Sequence, residues 1–450
     1  MRITAGTSHF ARTLRCGMFA LAGLMATAVA PSGQVPAAPV QPLVTYTKDV
    51  VPILQRACQN CHRPGSIAPM SFLTYEEVRP WARSIKQKVA DRDMPPWYID
   101  RHVGITKFDP DPSLTDAEVA TMVTWVDTGA TKGDPADMPP AKTFTADDRW
   151  AIGAPDIIVK LPKDIVVKPE QADQWLNIPM EDLGLKEDRY IKAVEIKPIK
   201  GVKTAHHADA LMADPDEEDA SGFLVEYAVG KGGDIFPEGT GRLVKAGTRL
   251  VMNLHLHATG QETPMNVAVG MKLYPAGYVP KHVEITQHIG DTEDLDIPPG
   301  DGNVRSDGYT VLTKPTRLTS FQPHLHSRGK AQCLEAIFPP TSETRRQVGR
   351  TETISCVNRY KFAWHIVYHY AEDVQPILPA GTILHVISWH DNSSGNKFNP
   401  DPTNWVGFGQ RTIDDMSFSW MSFYYLTPEE YKQAISEREA KKKASTEHAQ

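Results

Sequence analysis

The spacing of apolar positions changes character once along this chain, near residue 156. Before that point apolar residues recur three and four apart. Asp49 to Ala57, with Pro52 in the first turn and Val51, Leu54 and Cys58 at helical spacing, predicts a short helix. Thr74 and Glu77 form a capping-box pattern that opens a second helix through Val78, Ile85 and Val89, with Pro80 placed to kink it. Thr115 and Glu118 open a third, in which Val119, Met122, Val123 and Val126 line one face and Gly129 ends the run. Beyond residue 156 the period becomes two. Tyr190 to Ile196, Arg249 to His257, Asn266 to Tyr274, Ala331 to Phe338 and Thr382 to Trp389 mix β-branched residues with alternation, and turn-rich segments such as Asp301-Gly302-Asn303 separate them. Short strands over roughly 270 residues predict two β-sandwich or jelly-roll units. A highly charged stretch, Glu429 to Gln450, reads as a helical or frayed tail.

Composition narrows the class. The chain has 450 residues, 41% of them apolar and 23% charged, which excludes a disordered chain and suggests several domains. A net charge of −7 with no long basic run excludes a nucleic-acid partner. Arg2, Arg12 and Arg15 precede an apolar run from Gly17 to Ala30 that is too short to span a bilayer. Small residues at Ala26 and Ala28 offer a cleavage site after Ala28, so residues 1–28 are expected to be an export signal. The mature protein is then expected in a bacterial-type periplasm, without an integral membrane anchor. Residues 29–42 and 139–155 read as linkers around a segment 43–138. The β-rich part divides into units 156–290 and 291–428, with residues 429–450 as the tail.

The predicted first helix runs into Cys58-Gln59-Asn60-Cys61-His62. That spacing lets two thiols bond haem vinyl groups while the adjacent histidine ligates the iron. A zinc half-site would want a second Cys/His pair nearby, and a redox dithiol would want a strand context; neither is present. For the opposite face of the iron, Met94 in Met94-Pro95-Pro96 is preferred, with Met70 as the competitor. Helix, C-x-x-C-H, helix, methionine loop and helix resemble a small class I cytochrome c domain. The expected fold class is therefore a small all-α cytochrome c domain followed by tandem all-β jelly rolls.

Histidines recur in the β-rich half. His206 and His207 are adjacent, His255 and His257 form one H-x-H, His324 and His326 form another, and Met416 follows two aspartates. Alternate residues on a strand share a face, so H-x-H can chelate one ion. Adjacent histidines can share one only at a strand end or bulge. Imidazoles joined by a thioether suit copper. The order HH, HxH, HxH, D-[DE]-M resembles the copper type II, ascorbate-dependent monooxygenases over about residues 160–426. That resemblance implies two coppers. His206, His207 and His255 would hold an electron-transfer copper, with His257 behind them. His324, His326 and Met416 would hold a second, catalytic copper where dioxygen and substrate meet. Gln322 stands where the peptide-directed members have an arginine, which argues against a peptide substrate.

The expected activity is hydroxylation of a C–H bond in a small molecule by dioxygen, with covalent haem c and two copper ions, the haem domain supplying electrons to the coppers and an external donor supplying the chain. The alternative is a haem and copper electron-transfer or copper-handling protein without oxygen insertion. Cys16 leaves with the signal and two cysteines go to haem, so Cys333 and Cys356 are expected to pair across a hairpin. His365, His369, His385 and His390, in aromatic-rich runs, read as core or edge residues.

Overall fold

A computed structural model describes residues 43–144, 150–215, 220, 222–340 and 350–447. The expected export signal and first linker lie outside the described residues. Among those described, no helix is long and apolar enough to cross a membrane.

Two β-sandwiches dominate. In the first, a seven-stranded sheet has Thr263–Leu273 and Arg189–Lys200 at its centre. It faces a four-stranded sheet ordered Gln174–Asp182, Arg249–Leu256, Ala205–Ala213, Gly222–Ala228. Val194, Leu224, Leu250, Met265 and Val269 fill the space between the sheets and are fully buried. In the second sandwich, Ile285–Ile289, Phe418–Tyr425, Thr316–His324 and Tyr368–His369 lie side by side, with Ile377–Leu378 added to the third. The opposing sheet runs Val304–Val311, Ile383–His390, Gly329–Ile337, Thr351–Val357. Leu318, Phe321, Leu334, Val386 and Phe423 form its core. Cys333 and Cys356 face each other in register on the last two of these strands and are disulfide-bonded, with Cα atoms 4.1 Å apart.

The helices are short: Val51–Ala57, Tyr75–Val78, Ala82–Ala90 and Asp116–Asp127, with Pro428–Glu447 at the C-terminus. Both capping boxes form, and the chain tightens into a 3₁₀ turn at Arg79–Trp81, where Pro80 cannot donate. Tyr46, Leu54, Met122 and Trp125 give these helices a small core.

The expected fold class requires correction. The chain is predominantly β-sandwich, and the helices do not form a separate all-α cytochrome domain; residues from Val44 onward make one compact unit. The physical reason lies between the third and fourth helices. There Tyr98, Ile99 and Phe108 are buried in the core of the second sandwich. Asp100 N–H donates to the Cys356 carbonyl (2.7 Å) and Ile105 N–H to the Ile354 carbonyl (2.8 Å), so residues 97–109 strap the helices to the edge of that sheet. Bridges Ile99–Val357 and Phe108–Tyr370 complete the attachment. Asp93 adds ion pairs to Lys361 (3.1 Å) and Arg359 (3.3 Å). The apolar residues that a free-standing helical domain would keep for itself are spent on the sheet.

Candidate functional site

Cys58 caps the first helix, and the N–H groups of Cys61 and His62 both turn back to its carbonyl. The two thiols are free, and Cys61 is exposed. Burial pushes the Cys58 thiol up to about 12. His62 Nδ1 donates to the Met70 carbonyl (3.3 Å), and its ring lies flat on Phe72, 4.1 Å between centroids. With Nδ1 committed, Nε2 is the nitrogen left for ligation. Met70, like Cys58, is partly buried against the helical core. Met94 lines a cleft of about 250 Å³ with Trp97, Leu114, Asn358 and Arg359, where the helices meet the second sandwich.

On Ala205–Ala213 the pairing with Arg249–Leu256 slips between Ala205 and His207, so His206 is the extra residue of a β-bulge. The slip breaks the regular alternation and lets His206 turn toward His255. His206 and His255 rings lie 4.8 Å apart. His255 is buried, stacks on Trp175 at 4.2 Å, and points Nε2 to Asp173 (3.1 Å). The same carboxylate takes His257 Nδ1 at 2.9 Å, so His257 bears on the site through Asp173. His207 turns aside: its Nε2 is 2.8 Å from Glu226, on the neighbouring strand.

His324 ends Thr316–His324 and His326 lies just beyond, ring centroids 5.7 Å apart. His326 Nδ1 donates to the Asp414 carbonyl (3.1 Å), and its backbone N–H to Asp415 Oδ1 (2.9 Å). Met416 is thereby held beside His326 through its two preceding residues; its carbonyl accepts from His390 Nε2 (3.3 Å).

The two histidine sets adjoin. Phe362 touches His206 (5.7 Å), His326 (5.6 Å) and His365 (5.6 Å), all between ring centroids. His365 lies 5.2 Å from His324 and 6.4 Å from His207. It is buried, and its backbone N–H donates to the Val229 carbonyl of the first sandwich (3.1 Å). His365 and Glu226 are the residues that sequence reasoning missed. Neither belongs to a repeated motif, and no periodicity marks a contact made across two sandwiches. Gln322 also faces this seam: its Nε2 donates to Glu226 Oε2 at 2.6 Å.

Electrostatics keep most of these rings neutral. Burial, reinforced by neighbouring imidazoles, pulls His206 down to about 3 and His324 well below the usual histidine range. Burial also pulls His365 down to about 4. For His207 burial is outweighed by Asp209 and Glu226, which push it up to about 9. Nδ1 of His206, His324 and His365 is buried without a hydrogen-bond partner. Neutral imidazoles with unused lone pairs in a dry setting are the donor set a soft or borderline metal ion takes.

No protein-family model matches the chain, and no curated protein does. Among solved structures, the major capsid protein P2 of bacteriophage PM2 is 6% identical, with 60% of this chain and 96% of that chain covered and a TM-score of 0.24. PNGF-II is 10% identical over 60% of this chain and 65% of its own, at a TM-score of 0.26. The VP2 subviral particle of infectious bursal disease virus is 10% identical over 62% and 72%, at 0.20.

Proposed function

We propose that this chain is an exported oxidoreductase that carries haem on Cys58 and Cys61 and copper among the histidines between its sandwiches, and that it hydroxylates a C–H bond of a small substrate with dioxygen. The observation that carries the reading is the meeting of His206 and His255 with His324, His326 and His365 at one buried seam, with three imidazole nitrogens left unpartnered.

The residues present fit both groups. Cys58, Cys61 and His62 stand on one turn, with His62 held by the Met70 carbonyl. A ligating histidine ordinarily has such an outer partner. The Met70 carbonyl fills that role, and Met94 is kept as the proposed thioether on its sequence context, Met94-Pro95-Pro96. For copper, His206 and His255 serve one set and His324, His326 and Met416 the other, while the expected third ligand of the first set, His207, is turned to Glu226 instead. When bound, haem supplies one-electron transfer and copper supplies oxygen chemistry.

The chain's own residues do the rest. Asp173 orients His255 and His257, and Asp415 fixes the backbone that presents His326. Phe362 packs between the two histidine sets and keeps water from the space they share. Lys361, its neighbour in the chain, is paired with Asp93, next to Met94. One short stretch therefore joins the methionine loop to the histidine seam.

Metal and haem content of the exported protein, followed by ¹⁸O₂ labelling of oxidised product, tests the reading. Label in the product with copper and haem bound is the expected result, and copper-loaded protein that never inserts label refutes it. Electron transfer or copper handling without oxygen insertion is the second reading. It is favoured by the burial of His255, His324 and His326, which are only 3–7% exposed. The same labelling experiment separates the two.

A further inference from the structure

Glu226, His324 and His365 lie where the sandwiches meet, and no repeated motif contains all of them. Glu226 comes from Gly222–Ala228 of the first sandwich and His324 from Thr316–His324 of the second; His365 comes from the loop before Tyr368–His369. One ligand atom from each lies within 4.8 Å of the others. All three side chains are buried, Glu226 to 1% exposure. The Nδ1 atoms of His324 and His365 have no partner, although a buried imidazole nitrogen ordinarily finds one.

The geometry is held from outside the trio. Gln322 and His207 fix the Glu226 carboxylate at 2.6 and 2.8 Å, and the backbone bond to Val229 fixes His365 against the first sandwich. Two largely buried cations stand nearby: His207, bonded to Glu226 Oε1 (2.8 Å), and Lys231, which is closer to Asp234 (3.3 Å) than to Glu226 (3.7 Å). Two imidazoles and one carboxylate, converging without bonding one another, make a poor hydrogen-bond network and a good cation site. Mixed nitrogen and oxygen donors select borderline divalent ions such as zinc or cupric copper over calcium or magnesium.

We infer that Glu226, His324 and His365 form a divalent metal site that bridges the two sandwiches. The inference deepens the proposed function, resting on its use of His324 as a ligand, and adds ligands that lie outside the repeated motifs. A metal held there ties the first sandwich to the second, so its binding is coupled to how firmly the two halves are joined.

The test uses the full exported chain, stripped by chelation and titrated with zinc alone and with cupric ion alone. Bound equivalents, affinity and thermal midpoint are measured. Removing an outer partner of a metal ligand costs about 10–100-fold in affinity, so losing a ligand should cost at least that. His365→Gln and Glu226→Gln should each weaken the same single equivalent and abolish its effect on the thermal midpoint. His282→Gln, elsewhere in the molecule, should leave both unchanged. Glu226→Gln also disturbs Lys231, so His365→Gln is the decisive variant should the former fold poorly. Zinc and copper uptake that is unaltered in His365→Gln, with loss instead in His326→Ala or Met416→Ala, overturns the inference. The zinc result does not depend on oxygen chemistry. A protein that fails to incorporate ¹⁸O yet loses one zinc equivalent in His365→Gln would sink the monooxygenase reading and uphold the bridging site.

Discussion

Asp415 has no solvent exposure, and its carboxylate accepts the backbone N–H groups of His326 (2.9 Å), Arg328 (3.2 Å) and Met416 (2.9 Å). His390 Nε2 approaches the same group at 3.4 Å. Burial alone would raise this carboxyl, but His390 and His326 hold it below the usual carboxylate range. Asp415→Ala would leave three N–H donors without an acceptor, each costing about 1–3 kcal/mol. The expected loss is several kcal/mol, read from denaturant unfolding, whereas Asp415→Asn keeps an acceptor oxygen and should lose less. An alanine variant within 1 kcal/mol of the parent would show that the carboxylate does not brace the loop. Asp173 acts differently. It holds the His255 and His257 rings rather than backbone, and it is partly exposed, so its removal should spare the fold. Asp173→Ala is expected to weaken copper binding by about 10–100-fold with little change in unfolding. Equilibrium dialysis against cupric ion would show this, and unchanged affinity would remove Asp173 from the site.

Local chemistry was legible in the sequence, and long-range contact was not. Thr74 with Glu77 and Thr115 with Glu118 announce helix starts because a capping box is written within four residues. The alternation of Arg249 to His257 and of Ala331 to Phe338 marks strands for the same reason, as does the need for a bulge at His206-His207. Nothing local marks the strap at residues 97–109. Trp97, Tyr98 and Phe108 look like ordinary loop or core aromatics until the sheet edge that receives them is known. His365 and Glu226 were invisible for a like reason, since each makes contacts on the other sandwich as well as its own. The strap has a sharp requirement at Gly104, which has a φ of +64° and whose missing Cβ leaves room for the Ile354 carbonyl. Gly104→Ala combines left-handed backbone with a backbone collision and should cost about 1–3 kcal/mol. Hydrogen exchange should show faster opening of residues 97–109 before global unfolding. Unchanged protection there would mean that the strap is not held at Gly104.

At the scale of the molecule, the join between the sandwiches carries buried charge. Glu284 lies between the last strand of the first sandwich, His282–Val283, and the first of the second, Ile285–Ile289. Its N–H donates to the Gly241 carbonyl (3.0 Å), and its carboxyl accepts from Thr319 Oγ1 (2.5 Å), so one residue is bonded to both halves. Arg242 crosses the same boundary to Thr286 Oγ1 (2.6 Å). Burial raises the Glu284 carboxyl from 4.5 to about 7, against the opposing pull of Thr319 and Arg242. The native state therefore holds this proton more tightly than the unfolded chain does. Between about pH 4.5 and 7 the native state binds more protons at Glu284, so this residue's contribution to stability is complete below that window. It is lost as pH rises through it, by on the order of 3 kcal/mol. His206 and His365, held low by burial, act in the opposite sense and favour the native state as pH rises. The slope of the parent protein alone is then uninformative, and the difference from Glu284→Gln isolates the effect. A glutamine cannot ionise, so the variant should gain stability relative to the parent on moving from pH 5 to pH 7.5. Unfolding in urea at the two pH values gives the comparison. A parent and variant that keep the same difference at both would show that Glu284 is not the group that titrates at the join.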